Sequence, residues 1–380
     1  MTIMGRQLEK WVEIDLNKVK HNVQEIKKHL SPQTIFIAVV KADAYGHGMK
    51  EVSRVALQNG ANWLGVSNPH EGEHLRKCGF KAPILVLTPF FGESLKVTIK
   101  NDLIQSVDSI DQIEYLGRHS KIKGKKTVVH IKVDTGLGRF GVLPQHVIDF
   151  AKRVRATDSL ILEGIYTHFA SAYSDPDYTR QQYRTFMEVR KKVKQVGIPI
   201  KIFHCVNSPS AMDFPSMHLD AVRIGFSLSY LCNGTIKKNQ WNLIDCLEFK
   251  TKILSIKRRD IGAHVGYENR FIADHKMTVG IIPVGYVDGI PTSLANRGNV
   301  LIRGRKAPLI GSVCFSQSFV DLRSLGEEAA VGDEVVFIGS QGNENISYRD
   351  IAGKVNAGNS ETVLRITKAV PRLYKGAAIG

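Results

Sequence analysis

The sequence predicts an α/β chain: an N-terminal (β/α)8 barrel of the TIM type, followed by a C-terminal domain made mostly of β-strands. Three observations carry this expectation. Eight short apolar, β-branched runs recur before about residue 225, most of them separated by segments with helical periodicity. The runs are continuous rather than alternating, which suits strands covered on both faces of a parallel sheet. After about residue 240 the rhythm changes, and strand-like runs follow one another without helical spacers.

IFIAVV (35–40) opens the series, and WLGVS (63–67), PILVL (83–87) and IQSV (104–107) follow. VVHIKV (128–133), LEGIYTHF (162–169), IKIFHC (200–205) and DAVRIG (220–225) complete the eight strands that such a barrel requires. Between them lie helix-like stretches such as MKEVSRVALQNG and QQYRTFMEVRKKVKQVG, the second stopped by glycine and Pro199. LEFKTKILSIKRR, MTVGIIPVGY, NVLIRGRKAPLIGSVCF and DEVVFIG, divided by Gly, Asn and Asp turns, read as the second domain. The expected domains are therefore 1–243 and 244–380. WVEIDL (11–16) precedes the barrel and is a candidate partner for the later strands.

A chain of 380 residues is long for one domain, and 43% hydrophobic content is enough for a sizeable core. No apolar run approaches the ~18 residues of a membrane span. The N-terminal MTIMGRQLEKWVEIDL lacks the apolar core and cleavage site of a secretion signal, so a cytoplasmic protein is expected. Five cysteines (Cys78, Cys205, Cys232, Cys246, Cys314) form no CxxC and are odd in number, which argues for reduced thiols and no metal site. A formal charge of +16 would attract nucleic acid or an anionic surface. Its densest cluster, KIKGKK (121–126), is short and has no aromatic platform for base stacking. A solvated basic face is expected, with neither a nucleic-acid nor a membrane partner.

Barrels carry their functional groups at the C-terminal ends of their strands. Lys41 directly follows the first run, in VVKADAYGHG, where a lysine either snorkels outward or is held for chemistry. Arg139 lies just past the fifth run, in KVDTGLGRFG, and His168 closes the sixth. Asn207 and Ser208 follow the seventh; Arg223 and Gly225 close the eighth. Each has a purely structural alternative: a core histidine for His168, an ion pair with Asp134 for Arg139, a helix cap for Ser208. Their coincidence on one rim favours a site. SPSAM and RIGFS occupy the loops where barrels frequently bind an anion through backbone N–H groups. A lysine opposite a phosphate corner suggests a phosphorylated aldehyde, pyridoxal 5'-phosphate, and chemistry at the α-carbon of an amino acid.

VVKADAYGHG resembles the cofactor-lysine motif of the alanine racemases, which are fold-type III pyridoxal-phosphate enzymes. HIKVDTGLGRFGV, GIYTHFASAY, HCVNSPSAM, DAVRIG, VGYENRF, IPVGYVDGIP and VPRLY extend the resemblance in family order over nearly the whole chain. The resemblance implies that Lys41 holds the cofactor and acts as one catalytic base. It implies Tyr267 as the other base, reaching the site from the partner subunit of a homodimer with shared active sites. Tyr45, Ser208 and Gly225 would hold the phosphate, with Asn207, Phe226 and Ser360 also at the cofactor. Arg223 would face the pyridine nitrogen, and His168 would link Arg223 to Tyr267. Arg139, Phe315 and Tyr286 would contact the substrate. Lys132 matches a lysine that is carbamylated in some relatives; an ordinary lysine beside an acidic residue is the alternative. The implied role is supply of D-alanine as a peptidoglycan precursor.

Three stretches depart from the family pattern. Relatives commonly read Cys-Met-Asp where this chain has Cys314, Phe315 and Ser316. Ser360 stands where a tyrosine usually narrows the substrate entrance, and Ser229 and Tyr230 replace a Tyr-Gly pair after RIGF. Either specificity broadens towards serine or larger amino acids, or Phe315 refills the lost volume. The nearest alternative function is a fold-type III amino-acid decarboxylase, which would place a carboxylate at the pyridine nitrogen and Cys-Glu-Ser-Gly around the cysteine. A cofactor-binding protein without turnover would lack the second domain.

Overall fold

The computed structural model describes residues 8–229, 241–366 and 369–376, the side chains of Asn359 and Ser360 excepted. Tyr230, Cys232 and the Ser360 side chain thus lie outside the described residues. Two compact units are present: Asn17–Asp245, and the N-terminal strand through Leu16 together with the chain from Cys246 on. The division falls at 245/246 rather than 243/244 because Ile244 is tied to the first helix, Leu16–Lys28. Asn22 on that helix accepts the Ile244 N–H and donates to the Ile244 carbonyl, both at 2.8 Å.

The first strand, β1 (Lys10–Asp15), belongs to the second sheet. The barrel is formed by β2 (Ile35–Val39), β3 (Trp63–Val66), β4 (Ile84–Val86), β5 (Ile104–Val107), β6 (Thr127–Lys132), β7 (Leu160–Tyr166), β8 (Ile202–His204) and β9 (Ala221–Ile224). All neighbouring pairs are parallel, and β9 closes on β2 with Ile37 opposite Arg223. Strand β7 stops short of the expected 162–169. The Thr167 carbonyl accepts from the Arg223 guanidinium at 2.8 Å instead of extending the ladder, so His168 stands beyond the strand end.

Helices cover the barrel with one apolar face each. Met49–Gln58 buries Met49, Val52, Ser53, Val55 and Ala56, the spacing of a 3.6-residue period. Pro176–Gln195 is capped by Asp175, which accepts the Tyr178 N–H, and Pro176 occupies its first position. Its Phe186 is fully buried, a contribution of about 1.5–3 kcal/mol for a side chain of that size. Inside the barrel Ile37, Leu85, Ile104, Ile202 and Ala221 form one apolar cluster. Branched aliphatic residues usually fill such a barrel throughout. Here Ser106, His130, Tyr166, His204 and Arg223 are also buried, and the polar residues are what position the site.

The second unit is one twisted sheet of β10 (Leu247–Lys252), β11 (Ser255–Arg259), β12 (Met277–Ile282), β13 (Asn299–Ile302), β14 (Arg305–Ile310), β15 (Ser318–Asp321), β16 (Glu334–Gln341), β17 (Glu344–Ile346) and β18 (Arg372–Lys375), with β1. Its order is β11-β12-β15-β14-β13-β16-β10-β1-β18, with β17 paired to β16. The β13–β14 hairpin turns on Arg303-Gly304, both at positive φ (50° and 74°), the geometry that matches strand twist in a two-residue loop. Lys250 on β10 is buried but answered by Glu13 of β1 at 3.0 Å and Glu248 at 2.7 Å. Val265, Ala273, Met277, Val279 and Ile310 form a core cluster on this sheet. Among the described residues no helix is long and apolar enough to cross a membrane.

Candidate active site

Lys41 begins an unusual turn. Ala42, Asp43, Ala44 and Tyr45 all have positive φ (51°, 57°, 51° and 56°), a single left-handed helical turn built without glycine. Each such residue costs roughly 1–2 kcal/mol relative to right-handed backbone, so neighbouring groups must hold it. Glu71 does so with both oxygens: Oε1 accepts the Ala42 N–H at 2.8 Å and Oε2 the Ser67 N–H at 2.7 Å. Asp43 Oδ1 accepts the Met49 N–H at 2.8 Å. The turn brings Lys41 Nζ to 5.9 Å from the centre of the Tyr45 ring. Burial, and then the charge of Arg139, hold the half-buried Lys41 amine below the usual lysine range, with Glu71 opposing.

Tyr45 points at the corner where β9 ends. A Cβ added to Gly225 would lie 2.5 Å from Tyr45 Oη, so the phenol occupies the space of a missing side chain. Phe226 meets the Tyr45 ring edge-on at 6.1 Å. Ser208 Oγ accepts the Gly225 N–H at 3.2 Å. The cap of helix Ser208–Asp213 is Asn207, whose Oδ1 accepts from the Ser210 N–H at 3.3 Å and from Ser210 Oγ at 2.8 Å. The Ser208 hydroxyl is therefore free of capping duty, which corrects that alternative. Burial raises the Tyr45 pKa above the usual tyrosine range, and Glu71 adds to the effect, so the phenol stays a neutral donor.

Arg223 is 3% exposed and reaches across the barrel. Its Nη1 donates to His204 Nδ1 (2.8 Å), and the two N–H groups of Nη2 are shared among the Thr167 carbonyl (2.8 Å), the Cys205 carbonyl (3.0 Å) and His168 Nδ1 (3.2 Å). A guanidinium has no acceptor, so both imidazoles carry their proton on Nε2. For His168 that leaves an N–H pointing away from Arg223. Burial first, then Arg223, Lys132, Arg139 and Lys41, push the His168 pKa far down and keep the ring neutral.

Arg139 and Lys132 share the rim. Among the described residues Arg139 makes no ion pair with Asp134. The Asp134 Oδ1 instead accepts the N–H groups of Gly136 and Leu137 at 2.9 Å, and Gly138 at 3.2 Å, closing the glycine-rich turn on itself. Lys132 is 2% exposed, and among the described residues no carboxylate lies within ion-pair range of it. Burial, Arg139 and Arg223 bring its pKa down to about 8, against weaker pulls from Asp108 and Asp134. The Asp108 Oδ2 is itself engaged by the Gly141 N–H at 2.9 Å.

On the second unit, Tyr267 is 71% exposed and its main-chain carbonyl accepts from Ser312 Oγ at 2.7 Å. Tyr286 and Phe315 meet edge-to-face at 5.3 Å, and both stay exposed (48% and 59%). Their backbones are joined: the N–H groups of Tyr286 and Val287 donate to the carbonyls of Cys314 and Phe315, both at 3.0 Å. The structure thus brings together Lys41, Tyr45, Ser208, Gly225 and Phe226 on the barrel unit, and Arg223 with His168. On the other unit Tyr286 and Phe315 pair, and Tyr267 is exposed as well.

Sequence reasoning missed Glu71, His130, His204 and Tyr166. His130 and His204 sit inside β-branched runs, and Glu71 lies in a helix with no motif of its own. The donor set nevertheless fits pyridoxal 5'-phosphate. A half-buried amine of lowered pKa suits its aldehyde, the Tyr45–Ser208–Gly225 corner its phosphate, and a buried guanidinium its ring nitrogen.

Two family models match the chain: "Alanine racemase, N-terminal domain" over residues 14–232 and "Alanine racemase, C-terminal domain" over residues 246–374. The alanine racemase of Halothermothrix orenii is 39% identical over 366 residues, covering 96% of each chain. A solved alanine racemase from Clostridium difficile 630 superposes with a TM-score of 0.93 at 30% identity, covering 97% of this chain and 96% of the other. A histidine racemase from Leuconostoc mesenteroides subsp. sake is similar as well, with a TM-score of 0.88 at 25% identity and coverage of 98% and 99%. With both domains matched in order over nearly its full length, the chain belongs to the alanine racemase family.

Proposed function

We propose that this chain is a cytoplasmic, pyridoxal-phosphate-dependent racemase that interconverts L- and D-alanine with two bases, and so supplies D-alanine for peptidoglycan. The observation that carries the reading is the half-buried Lys41 amine, held below the usual lysine range beside the Tyr45–Gly225 corner. When bound, the cofactor supplies an electron sink that makes the α-hydrogen of an amino acid removable.

Lys41 Nζ would hold the cofactor aldehyde and would take or return a proton on one face of the α-carbon. Tyr267 Oη serves the opposite face from the partner subunit of a homodimer. The exposure of Tyr267, and the exposed Tyr286–Phe315 pair on the same unit, support that reading, since aromatic side chains are enriched at protein interfaces. Tyr45 donates to the phosphate, beside Ser208, Gly225, Asn207 and Phe226. Arg223 gives the ring nitrogen a donor that does not readily release its proton, which favours racemisation over the decarboxylase alternative. His168, neutral with its proton on Nε2, passes the influence of Arg223 towards Tyr267, and Arg139 receives the substrate carboxylate. A carbamate on Lys132 would answer the positive charge of Arg139 and Arg223; the lowered pKa of its amine supports that modification.

The histidine racemase among the structural relatives supports acceptance of substrates beyond alanine. The test is a racemase assay with L-alanine, L-serine and L-lysine, with the cofactor's visible absorbance followed before and after borohydride. Turnover of L-alanine and a borohydride-fixed chromophore on Lys41 are expected. A colourless protein that takes up no cofactor overturns the reading.

A further inference from the structure

Arg223 is a buried cation without a carboxylate in contact among the described residues. Its direct partners are two carbonyls and two neutral imidazoles. An unanswered buried charge is among the costliest features a fold can carry. The answer lies farther along. His204 Nε2 is 3.0 Å from His130 Nδ1, and His130 Nε2 is 3.4 Å from Glu163 Oε2. The two histidines are fully buried, while the Glu163 side chain keeps 19% of its surface.

The ends of this chain dictate every proton in it. Arg223 can only donate, so His204 accepts on Nδ1 and donates from Nε2 to His130 Nδ1. His130 then holds its proton on Nε2 and directs it to Glu163, which as a carboxylate can only accept. One arrangement satisfies all links. Its reverse would set a His204 N–H against a guanidinium N–H and turn Arg223 aside.

The barrel is shaped around these rings. A Cβ on Gly164, the residue after Glu163, would come within 2.5 Å of His130 Nδ1 and Cε1. The β6–β7 register shifts between Val129 and His130, which leaves Glu163 as the extra, unpaired residue of β7. Tyr166 stacks on His204 at 4.7 Å, and Trp63 flanks His130 at 5.9 Å. An apolar filling of the same volume would have been less demanding to fold, and neither His130 nor Glu163 is needed as a base.

We propose that Glu163 and His130 are positioning residues, which with His204 form a carboxylate–imidazole–imidazole chain that answers the charge of Arg223 and fixes the direction of its donors. The inference rests on the reading of Arg223 as the group at the cofactor's ring nitrogen. Glu163→Gln preserves volume but removes the charge, and its amide can present N–H as well as oxygen, so the chain loses its fixed polarity.

The experiment uses full-length protein labelled with 15N-histidine, with and without pyridoxal 5'-phosphate. In wild type, both His130 and His204 are expected as neutral Nε2–H tautomers, with or without cofactor. In Glu163→Gln those signals broaden or shift to mixed tautomers, kcat for L-alanine falls about tenfold with KM nearly unchanged, and the visible band of the bound cofactor moves. Unchanged tautomers, kcat and absorbance in the variant overturn the proposal. A wild-type spectrum with His204 protonated on Nδ1, or with His130 as imidazolium, overturns it without any variant. Loaded wild type that racemises nothing counts against the two-base reading instead, and the cofactor-free spectra still judge the chain.

Discussion

Tyr45 Oη stands where a side chain on residue 225 would be, 2.5 Å from the position of a Cβ on Gly225. The glycine is required by close approach, since its φ of −124° is open to any residue. Gly225→Ala is therefore expected to expel the phenol and weaken pyridoxal 5'-phosphate binding by about tenfold or more, the loss of one hydrogen bond to a charged group. Cofactor titration by absorbance checks this. Adding Tyr45→Phe to Gly225→Ala should cost little further affinity, because the contact is already gone.

Glu71 accepts two backbone N–H groups, that of Ala42 next to the lysine and that of Ser67 after β3. Glu71→Ala leaves both without a partner and releases the left-handed turn, with an expected loss of about 2–3 kcal/mol. Thermal denaturation and the fraction of protein that binds cofactor should fall together. A variant that melts like wild type would show the turn to be self-supporting.

Active sites shared between two subunits, as proposed, would make a distinctive arithmetic. Lys41→Ala and Tyr267→Phe should each be nearly inactive as pure homodimers. Mixed and allowed to exchange, half of the dimers become hybrids with one intact site each, so about a quarter of all sites should recover. Activity that stays flat after exchange, in a mixture shown to contain hybrids, places Tyr267 in its own subunit's chemistry or outside it.

Acid should destabilise the fold. His130 and His204 are fully buried, and burial lowers the pKa of each. Below about pH 6.5 the unfolded chain takes up protons on these rings that the native state refuses, so stability declines as pH falls from that value. Each group contributes up to about 1.4 kcal/mol per pH unit. Glu163, held below the usual carboxylate range chiefly by its hydrogen bond to His130, adds a loss of the same sign at lower pH. Urea melts at pH 7.5, 6 and 5 measure the slope, and equal midpoints would refute it.

Lys132 should react with carbon dioxide. An amine with a pKa of about 8 is substantially neutral in mildly alkaline buffer, as carbamate formation requires. Protein equilibrated with 13C-bicarbonate is expected to show one carbamate carbon signal that is absent from Lys132→Arg. No signal in wild type leaves the lysine unmodified.

The barrel and the placement of Lys41 were legible because both rest on patterns of several residues: eight apolar runs, and polar groups repeatedly at their ends. The chain behind Arg223 was hidden for a physical reason. In strands buried on both faces, inward and outward positions are equally apolar, so nothing in VVHIKV or IKIFHC marks a histidine as facing the barrel interior. The turn after Lys41 was hidden because its positive-φ positions carry alanine, aspartate and tyrosine instead of glycine, and the group that stabilises it sits in a later helix. Short sequence separation also misled. Asp134 and Arg139 are natural partners on paper, yet three backbone N–H groups lie closer to the carboxylate.

Strand β1 lies between β10, to which it runs antiparallel, and β18, to which it runs parallel. Both neighbours of this strand are therefore encoded after the entire barrel, and β18 after every other described strand. While synthesis proceeds, the nascent WVEIDL segment presents two bare edges, and the barrel must complete itself beside this unclaimed ribbon. Cutting into β1 or into β18 consequently injures the same sheet from opposite ends of the sequence.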